Sequence, residues 1–258
     1  MLSDPSVRAL FFSSLAGLST VLGAVVIFCS KTENKRLLSV SLGFAAGIML
    51  GVSFTDLLPN AEILFAAGVG AGKASVLSVV FLIVGLLTAS GIDLLVPHDS
   101  FDSEHGEKPH RDLFRVGIVS TLAIALHNFP EGIATFMAGY KDATLGASIA
   151  LAISLHNIPE GVAVAMPVYF ATGSRKKALF YTLLSGIAEP VGALAAYCLL
   201  RPFIGDFLLG AVFSAVAGIM IYITMEELLP SSRQYGHDRE ALWASFAGIC
   251  LMPLTHAL

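Results

Sequence analysis

Two short runs hold the residues best suited to chemistry. Residues 122–134 read LAIALHNFPEGIA and residues 151–163 read LAISLHNIPEGVA, with ten of thirteen positions identical at an offset of 29. Each run offers His and Glu at i and i+4, the spacing that puts two side chains on one helix face. The pairs are His127 with Glu131 and His156 with Glu160. Neutral imidazole and carboxylate are good ligands for first-row divalent ions, and two of each make a four-coordinate, zinc-like set. Asn128 and Asn157 come next around the helices, and Glu189 lies on a third apolar stretch. These three could complete a second, adjacent position, with Glu131 and Glu160 bridging the two.

The surrounding chain is a membrane protein by composition. Of 258 residues, 55% are hydrophobic and only 13% charged, about half the usual charged fraction of roughly 25%. Mean hydropathy is +0.79. A soluble globule cannot cover its surface with so few charges, and a disordered chain is excluded as well. The net charge of −4 and the lack of a basic stripe leave no footprint for nucleic acid. Cys29, Cys198 and Cys250 are scattered through apolar runs, which argues against a disulfide framework or a thiolate zinc site.

A bilayer-spanning helix needs about 20 apolar residues. Five stretches without Asp, Glu, Lys or Arg qualify: 9–30, 37–55, 74–92, 207–225 and 241–258. Three more, 116–140, 143–174 and 178–200, carry ionisable residues inside them. The expectation is an all-α polytopic membrane protein of eight transmembrane helices, forming one transporter domain over residues 1–258. Alternate connections hold 11 basic residues on one side and 4 on the other. The positive-inside rule then places both termini outside the cytoplasm. The long connection 96–114, with His98, His105 and His110, becomes a cytoplasmic His-containing loop, readable as a metal-collecting segment or as a solvated linker.

Charges inside a bilayer are costly, about 2.5–3.5 kcal/mol each at the centre on insertion scales. The three motif-bearing stretches contain no Lys or Arg to balance Glu131, Glu160 and Glu189. Protons or a metal cation must do so, and the two histidines favour the metal. Pro130 and Pro159 each leave a carbonyl, that of Leu126 or Leu155, without its helical partner. A fainter repeat pairs 47–59 (GIMLGVSFTDLLP) with 218–230 (GIMIYITMEELLP), six positions matching. Five spans separate the copies, so the second is inverted. Inverted repeats around a midplane site are typical of alternating-access transporters. Met49 and Met220 occupy matching repeat positions, readable as soft ligands or as core filler. Asp56, Glu226 and Glu227 read as cation-recruiting groups at the two mouths or as solvated helix ends.

At HNFPEG and HNIPEG the chain resembles the ZIP (Zrt/Irt-like) family of divalent-metal transporters, over nearly its whole length. The resemblance implies eight helices around a binuclear metal centre. His127, Glu131, His156 and Glu160 match the first position. Asn128, Asn157 and Glu189 match the second, with the glutamates shared, and Met49 falls beside the first. It also implies metal movement into the cytoplasm and frequent homodimers. The expected function is uptake of Zn²⁺, and with it Fe²⁺, Mn²⁺ or Co²⁺, across the inner membrane by alternating access. The metal is substrate, with no catalytic cofactor; the partners are divalent ions and the lipid bilayer, not nucleic acid. Two rivals are an intramembrane zinc hydrolase, which lacks an HExxH here, and a metal sensor that binds without transport.

Overall fold

The computed structural model describes residues 4–25, 34–94 and 109–255, apart from the side chains of 109–120, 123, 127 and 255. Among the described residues there are eight long helices and no strand. They are α1 (Pro5–Ala24), α2 (Lys35–Val69), α3 (Ala71–Asp93), α4 (Pro109–Lys141), α5 (Ala143–Thr172), α6 (Arg175–Phe203), α7 (Asp206–Arg233) and α8 (Asp238–Thr255). Six of them, α1 to α3 and α5 to α7, are long and apolar enough to cross a membrane. Each of the eight expected stretches overlaps one of these helices, with residues 26–30 and 256–258 outside the described residues, and the chain is an all-α, multi-pass membrane protein. Residues 95–108, most of the expected 96–114 loop, lie outside the described residues, and α4 begins at Pro109.

Local signals set the helix ends. Asp4 caps α1 by accepting from the Val7 and Ser6 amides, with Pro5 at the first helical position. Those amides hold the exposed Asp4 carboxyl below its ordinary pKa. Asn34 accepts from Leu37 N at 2.9 Å and starts α2. Asp142 accepts from Leu145 N at 2.8 Å and starts α5 directly after α4 ends at Lys141. Gly173 stops α5 in the left-handed region (φ 63°), and Ser174 then caps α6.

The one-residue reversal at Asp142 forces α4 and α5 into a tight antiparallel hairpin. It brings the two repeated motifs face to face. Around it, α1, α4, α5 and α6 pack as one bundle, and α2, α3, α7 and α8 as another. The bundles meet where α2 lies on α5 and α4 on α7. The tightest glycine approaches are all within a bundle. A Cβ at Gly132 would strike the Glu189 carbonyl, one at Gly161 the Thr20 carbonyl, and one at Gly47 the Ser245 carbonyl. Small residues thus let helices approach where lipid supplies no hydrophobic drive.

The inverted repeat is visible in the backbone. A π-helical turn occupies Ser53–Leu57 in α2, and another occupies Thr224–Leu228 in α7, at the same repeat offset. Ser53 Oγ donates to Met49 O at 2.8 Å, and Thr224 Oγ1 donates to Met220 O at 2.7 Å. Both turns lead into Leu-Pro. Matched hydroxyls and matched wide turns extend a likeness that sequence identity alone leaves faint.

Gly132→Ala should destabilise the protein by about 1–3 kcal/mol, the usual cost of overpacking. Gly91→Ala should be close to neutral, because a Cβ there meets nothing within 4 Å. Thermal unfolding of the two detergent-solubilised variants against wild type measures the difference; equal stabilities would contradict this α4–α6 packing.

Candidate metal site

The hairpin delivers the motif residues to one buried locus. Asn128, Glu131, His156, Asn157, Glu160 and Glu189 are each at most 1% exposed. His156 Nε2 lies 3.4 Å from Glu131 Oε2, so the two motifs meet across the hairpin. Asn157 Nδ2 donates to Glu189 Oε2 at 2.9 Å and to Ala16 O at 3.0 Å, tying α5 to α6 and α1. Asn128 Nδ2 donates to Ser185 O at 3.3 Å. Ser13 Oγ donates to Glu189 O at 3.2 Å.

What these groups leave unused is informative. Glu131 Oε1, Glu189 Oε1, Asn128 Oδ1 and Asn157 Oδ1 are buried with no hydrogen-bond partner among the described residues. A buried polar atom normally has a partner, and the exceptions call for an explanation. Every one of these four can accept but not donate when the glutamates are ionised. An unfilled set of acceptors fits a cation.

Each carboxylate also sits beside a proline inside its helix: Pro130 before Glu131, Pro159 before Glu160 and Pro190 after Glu189. Such prolines remove a helical hydrogen bond and free a carbonyl one turn back. For Pro190 that carbonyl belongs to Gly186, which Gly17 of α1 abuts.

The remaining expected ligands are placed differently. The His127 side chain lies outside the described residues; its backbone is on α4. Met49 is fully buried in the apolar core on α2, the helix that packs on α5. Among the described residues, no three His, Cys, Asp or Glu side chains close into a ready coordination sphere. Asp56 is 5% exposed inside the π turn of α2, and Thr55 Oγ1 donates to its Oδ2 at 2.8 Å. Glu226 is exposed and Glu227 half-buried on α7. Sequence reasoning found α1 as a span but missed its part in the site. Ser13 and Ala16 engage the site through a hydroxyl and a backbone carbonyl, and neither leaves a compositional mark. Pro190 was legible as Glu-Pro on a span already holding a carboxylate.

A multi-pass helical fold with buried carboxylates, amides and histidine on three adjoining helices defines a membrane protein with a buried donor set suited to cations. Comparison with known proteins gives the family. The family model described as ZIP Zinc transporter matches residues 96–255. The chain is 43% identical over 252 residues to the zinc transporter ZupT of Streptococcus mutans, covering 96% of each chain. It is 46% identical over 257 residues to that of Chlorobium luteolum, again 96% of each. Against that of Campylobacter jejuni it is 40% identical over 275 residues, covering 96% of this chain and 94% of the relative. The chain belongs to the ZIP family, whose members here are transporters rather than enzymes.

Asn157→Leu should cost about 1–3 kcal/mol, because the buried Glu189 Oε2 loses its donor. Chemical or thermal unfolding in detergent reads the change. Unaltered stability would remove Asn157 as the tie between α1, α5 and α6.

Proposed function

We propose that this chain carries Zn²⁺ across the inner membrane into the cytoplasm. The relatives are named zinc transporters. The observation that supports the reading best is the buried locus of α4, α5 and α6. There, carboxylate and amide oxygens lie without partners among the described residues, on the stretches 116–140, 143–174 and 178–200, which contain no Lys or Arg. Fe²⁺, Mn²⁺ and Co²⁺ fit the same mixed imidazole and carboxylate donors.

In this reading His127, Glu131, His156 and Glu160 hold the first cation position, with Met49 beside it. Asn128, Asn157 and Glu189 hold the second, and Glu131 and Glu160 are shared. The glutamates supply the neutralising charge and the histidines the preference for borderline metals. Cation arrives from the outer side past Asp56 and sheds water on binding. Movement between the two bundles then exposes the site to the side rich in Lys and Arg. The protein works as a homodimer with both termini outside the cytoplasm.

The decisive measurement is flux into proteoliposomes of purified protein, with Zn²⁺ and Fe²⁺ tested separately. Wild type should load the vesicles, and Glu160→Ala should fall to the rate of protein-free vesicles. Zn²⁺ binding without flux in the wild type would overturn the transport reading in favour of a sensor.

Acid should weaken binding, since protons compete with metal for the same lone pairs. Zinc binding should therefore weaken as the pH falls from about 7.5 to about 5. Equilibrium zinc binding across that range tests it. An affinity that does not change would exclude this ligand set.

A further inference from the structure

The hydrogen bonds around Asn157 fix the relative level of α1 and α6, which run antiparallel. Asn157 Nδ2 touches Ala16 O on α1 and Glu189 Oε2 on α6. From that level Thr20 is one turn onward along α1, and Ser185 is one turn back along α6. Both lie about 5.4 Å toward the same end of the bundle, the end where α6 starts at Arg175. Thr20 packs against the residue that follows Ser185, for a Cβ at Gly186 would meet Thr20 Cβ at 3.2 Å. α4 reaches the same level, because Asn128 Nδ2 donates to Ser185 O.

Thr20, Ser185 and Asn128 are fully buried, and Thr20 Oγ1, Ser185 Oγ and Asn128 Oδ1 have no hydrogen-bond partner among the described residues. A helical Ser or Thr commonly turns its hydroxyl onto the carbonyl four residues back. Ser53, Thr182 and Thr224 do so in this protein. Among the described residues Thr20 and Ser185 do not, and their oxygens keep their acceptor capacity unused.

We infer that Thr20 and Ser185 line, together with Asn128, a neutral, oxygen-only step for the transported cation, between the carboxylates and the basic end of the bundle. This deepens the transport reading and rests on it. The carboxylates bind a divalent ion strongly, so release needs an intermediate position that binds less well and lets water return. Hydroxyl and amide oxygens replace part of a hydration shell without adding charge. The step therefore takes a divalent cation that keeps some of its water, and it sets the rate of release rather than the strength of binding.

The test uses Thr20→Val, Ser185→Ala and their combination in the full chain, with Zn²⁺ as probe. Zinc flux and equilibrium zinc binding are measured on the same preparations. The double variant should lose about tenfold in turnover at saturating Zn²⁺, keep binding within about twofold of wild type, and regain most of the rate when Thr20→Ser replaces Thr20→Val. Wild-type turnover in the double variant would overturn the step and leave the transport reading intact. Loss of binding along with turnover, with Thr20→Ser equally impaired, would also overturn it, since both residues would then be merely structural. Lack of flux in the wild type would instead bring down the transport reading itself.

Discussion

Three carboxylates buried near one another, on apolar stretches that contain no Lys or Arg, are the constraint around which this molecule is built. Glu131, Glu160 and Glu189 sit at or near zero exposure. In a bilayer that arrangement is tolerable only if positive charge comes from outside the polypeptide. The protein's own contributions are partial: the Asn157 amide serves one oxygen of Glu189, and His156 approaches one oxygen of Glu131. The rest of the architecture holds these groups close while leaving several of their oxygens without a partner among the described residues. Glycines bring α4 and α6 into backbone contact at Gly132, and prolines loosen the helical bonding beside each carboxylate. A rigid cage would trap an ion. In the proposed reading, a locus of half-satisfied oxygens binds it and lets it go.

Most of the fold was legible because membranes impose simple rules. Eight apolar stretches became eight helices, and the polar residues within three of them marked the site. What could not be read was the role of helices whose chemistry is carried by the backbone. α1 has no ionisable residue within its span beyond Arg8, yet it supplies the Ala16 carbonyl and the Ser13 hydroxyl. A carbonyl is common to every residue, so composition cannot flag it. Ser185 was findable in principle, four residues before Glu189 on the same face. The Ser-rich and Thr-rich character of membrane helices hides such single positions.

The division into two bundles has a physical basis in where the small residues lie. Within each bundle, glycines let helix backbones touch, and the contact is continuous along the helices. Between bundles the contact falls to α2 on α5 and α4 on α7. The π turns of α2 and α7 mark corresponding points of the inverted repeat, and both helices lie in the second bundle. A widened turn is easier to bend than a regular one, and two of them related by the repeat give that bundle equivalent soft points toward opposite membrane faces.

The Asp142 reversal has a consequence for what the chain can tolerate over time. One residue separates α4 from α5, so the phase of the second helix against the first is locked. Adding or deleting a residue anywhere between the motifs would rotate His156 and Glu160 by about 100° away from their partners. A residue added within either helix would thus turn one motif away from the other, whereas a change of a lipid-facing side chain leaves their phase intact.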